Sequence, residues 1–228
     1  MKLNLMDELT LLALDDEKGS FLTDSISFAY GIAGAVILEL TLRDKIEVVK
    51  DNVIVKNNKS IGDELLDTYL DLIYQSKKEK TLEDWIQHIG EEEDRIKNKT
   101  IDKLVTGGIL IKKEEKFLWL FSNDKYPAVN SLPETRLRNR LCKIIENNLE
   151  PKLNEAMLIS LIDSCSLNEE VFGKDKAKLY KKKIKAIIEN TQNTKEINKT
   201  VKKVHEMIMT IIVILIASTL TTTTIINN

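Results

Sequence analysis

The sequence predicts a mainly α fold, a single helical domain, and three observations carry that prediction. Backbone breakers are scarce, with 8 Gly and 3 Pro in 228 residues, and a chain so poor in them favours helices. Apolar residues recur at helical spacing in one segment after another. No internal repeat or low-complexity linker divides the chain, and its length suffices for a substantial core. The domain is taken as residues 1–220, followed by a Thr/Asn-rich tail at 221–228.

The elements follow in order. "LNLMDELTLLAL" places Leu5, Met6, Leu9 and Leu12 on one helical face and ends at the turn "DDEKGS". A second helix is expected from about Asp24 to Arg43, with no charge from Ser25 through Leu38. Within it "YGIAGAVILEL" fits a membrane-seeking helix, a core helix or the wall of a binding site. Its fourteen uncharged residues are too few to cross a bilayer. "IEVVKDNVIVKNNK" has β-branched residues on both sides of "KDN" and reads as a hairpin. "SIGDELLDTYLDLIYQS" is amphipathic through Ile61, Leu65, Leu66, Tyr69, Leu70 and Ile73. "TLEDWIQHIG" opens with Thr81 three residues before Asp84, the outline of a capping box. "DRIKNKTIDKLVTGGIL" is a helix stopped by Gly107-Gly108, and "ILIKKEEKFLWLF" reads as two apolar strands around the charged turn "KKEEK". Further helices are expected over 135–150, 154–166 and 174–190, with a final segment from about Thr194.

The net charge of −2 conceals an asymmetry. Eleven lysines between Lys174 and Lys203, against Asp175, Glu189 and Glu196, make that segment +8 and the remainder −10. A basic segment on an acidic body points to an anionic partner; a solvated lysine-rich helix face has the same signature. Cys142 and Cys165 lie in apolar helical contexts with no CxxC pair, which fits a reducing, cytoplasmic location. The acids in "MKLNLMDELT" exclude a secretory signal. Met207 to Asn228 is charge-free, and a tail anchor and a buried helix compete for it. The strongly apolar part, Met207 to Leu220, would be about 21 Å long as a helix, short of the roughly 30 Å hydrocarbon core. A buried final helix with a frayed tail fits better.

Chemistry-bearing constellations are absent. His88 and His205 stand apart from any HExxH or Cys/His cluster, so no metal site is signalled. Gly31 and Gly34 form a GxxG inside an apolar helix, not a dinucleotide fingerprint, and no P-loop or GxSxG elbow occurs. No catalytic residue and no cofactor are predicted.

Six stretches, "LLALDDEKGS", "GIAGAVILELTLRDKI", "IGDELLDTYL", "TLEDWIQHI", "KLVTGGIL" and "FLWLF", occur in an order that resembles the Golgi phosphoprotein 3 family. The resemblance spans roughly Leu5 to Ser122, and the helices after Arg136 fit more loosely. It implies central, buried apolar helices at "GIAGAVILEL" and "MIMTIIVILIASTL", with small hairpins at the periphery. It also implies a peripheral membrane protein, which in eukaryotic members binds phosphatidylinositol 4-phosphate and short cytoplasmic tails of Golgi glycosyltransferases, and this chain resembles a divergent, bacterial-type member. Carried over position by position, the lipid-holding tryptophan and arginine of the family fall on Asp24 and Ala33. The basic pair falls on Asp94 and Lys97, so the phosphoinositide site is largely not retained. Cations left to meet an anionic lipid are Arg95, Lys97, Lys99 and Lys103, together with Lys181, Lys182 and Lys183 in the lysine cluster. The alternative is a winged-helix-like nucleic-acid-binding regulator, because a helix, a Gly turn and two strands follow one another from Ile96. Its wing turn "KKEEK" is mixed in charge rather than basic, which makes nucleic acid the lesser candidate partner.

Overall fold

The computed structural model describes residues 1–117, 121–189 and 195–226, with side chains up to 113, from 124 to 189 and from 199 to 215. Helices dominate: α1 Leu5–Ala13, α2 Ser25–Leu42, α3 Glu64–Tyr74, α4 Leu82–Gly90, α5 Glu93–Thr106, α6 Leu132–Glu146, α7 Leu153–Ser164, α8 Asn168–Phe172, α9 Lys174–Glu189 and α10 Lys195–Ile226. Two antiparallel hairpins complete the described residues, β1 Ile46–Val49 with β2 Asn52–Val55, and β3 Lys113–Phe117 with β4 Phe121–Lys125.

Local chemistry sets the helix starts. Asn4 and Asp7 form a capping box at α1, each side chain bonding the other's backbone N–H at 2.9 Å. Thr81 and Asp84 do the same for α4. Asp24 is the N-cap of α2, its carboxylate accepting from the Ser27 N–H at 2.8 Å. Lys50 and Asp51 close the first hairpin with φ of 45° and 72°, as a two-residue primed turn requires.

Helix α2 is the centre of the molecule. Its 18 residues have a mean hydropathy of 1.6, enough by composition to cross a membrane, yet 72% of them are buried. They pack against α1, α4, α7 and α10, and the core reading of "YGIAGAVILEL" is the one the structure bears out. The packing is close because glycines face the neighbours. A Cβ built on Gly31 would stand 2.0 Å from Cys165 Sγ of the α7 C-cap, and one on Gly34 would stand 2.5 Å from Ile208 Cδ1 of α10. Glu39, only 4% exposed, is held at the far end of the helix. Its Oε2 accepts from the Leu5 N–H at 3.0 Å, at the N-terminus of α1, and its Oε1 meets Arg43 at 2.7 Å.

Three expectations need correction. The second hairpin does not turn at "KKEEK": Lys113–Phe117 is itself a strand, paired in register from Lys113↔Lys125 to Phe117↔Phe121. Ile109 and Leu110, read as strand, are instead buried in a small satellite core with Leu11, Leu14 and Leu104, and Leu110 bridges to Ala128. The short α8 was not anticipated; Leu167 and Asn168 start it directly after Ser166, which turns the chain with φ 57°. Along α10, Val204, Ile208, Ile211 and Ile212 are buried and Leu215 packs against the same core, while Val213 and Ile214 face outward at 61% and 57% exposure. At 32 residues α10 is about 48 Å long, against about 27 Å for the 18-residue α2, so its far half outruns that partner. The expected burial from Ile216 to Leu220 lies outside the described side chains.

Gly31→Ala tests the close approach. Gly→Ala inside a helix ordinarily gains up to about 1 kcal/mol, but here the added methyl overlaps a sulfur, and a net loss of about 1–2 kcal/mol is expected. Urea denaturation should show that loss, and the added change Cys165→Ala should recover most of it.

Candidate functional site

Asp94 and Lys97 share one corner, where the loop entering α2 meets the start of α5. Asp24 is exposed at the α2 N-cap. The Phe21 ring lies 6.0 Å from the Lys97 ammonium, which brings α5 beside the loop entering α2. Tyr30, one turn further along α2, lies against Gly90, and both burial and the Glu91 charge push its hydroxyl pKa up. Asp94 is exposed on the first turn of α5.

Ala33 does not belong to that corner. It is wholly buried in the core, about 13 Å along the helix from Asp24. It contributes packing and no group that touches solvent or a phosphate.

The charge of the corner is unfavourable for an anion. Glu93 and Asp94 stand there against Lys97, which they engage at 3.0 Å and 2.6 Å. Burial alone would lower its pKa, but the bonds to Asp94 and Glu93 outweigh that and hold the ammonium above its ordinary value. A phosphate entering here would have to displace two carboxylates.

The remaining cations of α5 are likewise taken. Arg95 meets Glu92 at 3.0 Å, and that carboxylate also accepts from Tyr69 Oη. Lys99 meets Glu64 of α3 at 3.0 Å. Lys103 bonds Asp7 at 2.5 Å, with Asp63 at 3.5 Å. The spacing places Arg95, Lys99 and Lys103 along one side of α5, where Arg95 meets the α5 N-cap Glu92 while Lys99 and Lys103 reach the first turns of α3 and α1. The sequence hid this because the partners lie 35 and 96 residues away. Asp7 is 1% exposed, and burial raises its pKa despite Lys103.

Helix α9 differs. Lys183 donates to the Ile145 and Glu146 carbonyls and closes the end of α6, so it is structural. Lys176 is paired with Glu146 at 2.7 Å. Lys174, Lys178 and Lys182 are exposed at i, i+4 and i+8, with no ion-pair partner among the described residues. Leu179, 74% exposed, projects from the same outward arc. Lys181 borders a 350 Å³ cleft with Asp163, Lys185 and His205, in which His205 Nε2 lies 3.0 Å from Asp163 Oδ2. Leu179 was not among the predicted contacts, although its position among lysines was visible in "KAKLYKKK".

Comparison with known proteins fits this architecture. The family model described as Golgi phosphoprotein 3 (GPP34) matches residues 5–206. The chain belongs to the GPP34 family. A relative from Schizosaccharomyces pombe, vacuolar protein sorting-associated protein 74, is 27% identical over 170 residues, covering 65% of this chain and 50% of the relative. The chain thus spans about half the length of that curated relative. The match reaches well past Ser122, so the later helices belong to the GPP34 domain as much as the first six stretches do.

Lys103→Met should leave Asp7 buried without its cation. A loss of about 2–3 kcal/mol is expected, below the 3–5 of a sealed pair because Lys103 is partly wet. Asp7 protonated needs no cation, so the deficit should be largest at neutral pH and shrink as pH falls through its raised pKa. Urea denaturation of both chains across that range measures it.

Proposed function

We propose that this GPP34-family chain is a peripheral, non-enzymatic adaptor that works at a cytoplasmic, anionic membrane surface and meets the lipid through the outward face of α9. The observation that carries the reading is the contrast between two groups of cations. Those of α5 each hold a carboxylate of the same chain, whereas Lys178 and Lys182, without an ion-pair partner among the described residues, flank an exposed Leu179, and Asp175 lies one turn before it. Lysines around an outward leucine suit an interface, where the charges meet headgroups and the side chain enters the acyl boundary. The family resemblance supplies the adaptor half of the reading, with phosphatidylinositol 4-phosphate and cytoplasmic tails as the ligands it implies in eukaryotic members. The pocket's charges favour recognition of bulk negative charge over a single phosphoinositide.

The nucleic-acid alternative is the weaker reading. In the winged-helix comparison α5 would be the recognition helix, and for each phosphate met it would have to break an ion pair.

Sedimentation with vesicles tests the proposal. Binding to vesicles rich in phosphatidylserine is expected, falling with salt and absent on phosphatidylcholine. Each cation near such a surface is worth about 1 kcal/mol, so Lys178→Ala with Lys182→Ala should weaken partitioning by roughly thirtyfold. Charge reversal at Arg95 and Lys97 should change it little. Equal binding to neutral vesicles, or loss through Arg95 and Lys97 alone, would overturn the assignment to α9.

A further inference from the structure

The first hairpin has one covered edge and one open edge. On β2 the covering is explicit: the Val53 N–H donates to the Lys80 carbonyl at 3.2 Å, and the Leu82 N–H to Asp51 at 2.7 Å. The phase of the ladder follows from the Lys56 N–H donating to the Lys45 carbonyl at 2.8 Å, with Ile46 opposite Val55. Hydrogen-bonded and non-bonded pairs alternate in an antiparallel ladder, so Glu47 and Val49 bond inward to β2. The N–H and C=O groups of Ile46 and Val48 then point away from β2. Neither residue's outward groups have a partner among the described residues.

That open edge borders a groove of 530 Å³. Five consecutive residues, Ile46 to Lys50, line it, which a groove does only when it runs along the strand's edge rather than over one face. Its other wall is α10, through Lys199, Thr200 and Lys203, and Lys203 ties the hairpin turn to the helix at 2.6 Å from Asp51. Lys56 also borders the groove. Four lysines thus face Asp44 and Glu47, and Asp44 is bonded to Lys56. Lys50 and Lys199 have no ion-pair partner among the described residues.

We infer that this groove is a peptide-binding site in which an extended, acidic segment of a partner protein adds as a third strand to β1. The outward groups of Val48 supply the main-chain pairing, since Ile46 is only 1% exposed, and Lys50 and Lys56 of the hairpin with Lys199 and Lys203 of α10 select carboxylate-bearing side chains. The surface lies apart from the α9 face, and the inference goes beyond the membrane reading without depending on it. A basic tail or a second copy of this chain is disfavoured by the lysines that would meet it.

Fluorescence anisotropy with the full chain and no membrane tests it. The probes are a labelled peptide alternating Val and Glu, the same peptide with Lys for Glu, and a Val/Glu version N-methylated at alternate amides. The Val/Glu peptide should bind, weaken with salt, and lose at least about tenfold in affinity on N-methylation. Val48→Pro removes an outward N–H that the ladder does not use, and should cost a similar factor while circular dichroism stays unchanged. Lys50→Ala with Lys199→Ala should weaken the Val/Glu peptide only. No binding of that peptide, equal binding of the Lys peptide, or no loss with both Val48→Pro and N-methylation would overturn the inference. Self-association abolished by Val48→Pro, with no peptide bound, would overturn it too.

Discussion

The burial of α2 on every side is the constraint on which the rest depends. A helix apolar all round has no solvent face to offer, so other elements must enclose it. Close enclosure requires glycine where neighbours come nearest, and Gly31 and Gly34 admit Cys165 and Ile208 at distances no methyl would allow. Cys165 is correspondingly sealed, and burial pushes its thiol up to about 12, far from any reactive range. The two polar groups near the ends of α2 act on helix starts rather than on ligands. Asp24 caps α2 itself, and Glu39 accepts from the first turn of α1.

From that enclosure follows the fate of the α5 cations. Helix α5 lies against α1 and α2, and its lysines reach the acids that begin α1 and α3. These carboxylates favour the helix N-termini but, like buried Asp7, need a counter-charge. Cations that serve as such counter-charges are not free to hold a phosphate. The ion pairs of Lys97 with Glu93 and Asp94 belong to the same pattern: the corner is part of the scaffold's internal electrostatics. On α9, Lys176, Lys183 and Lys185 are engaged within the chain, whereas Lys174, Lys178 and Lys182 have no ion-pair partner among the described residues.

Much of this was legible in the sequence, and the exceptions have physical causes. The start of α4 was read from Thr81 and Asp84, and the first hairpin from β-branched runs around "KDN", because both signals are local. The second hairpin was misplaced because Ile109 and Leu110 look like strand residues, while their burial depends on Leu11 and Leu14, about a hundred residues earlier. The stripe of Arg95, Lys99 and Lys103 was visible as spacing, but whether it faces solvent or acids is decided by α1 and α3. Ala33 is as buried as the expected core helix around it requires. The open edge of β1 left no sequence signal at all, since an unpaired strand edge is a property of what does not pack beside it.

The proposal that α9, and not the α5 corner, meets an anionic membrane is tested most directly by an environment-sensitive fluorophore. In a Cys142→Ser background, with Cys165 sealed in the core, single labels at Leu179→Cys on α9 and Asn98→Cys on α5 would be compared on phosphatidylserine vesicles. The account predicts a blue-shifted, brightened signal at position 179 and an unchanged one at position 98. A shift at 98 with none at 179 would contradict it.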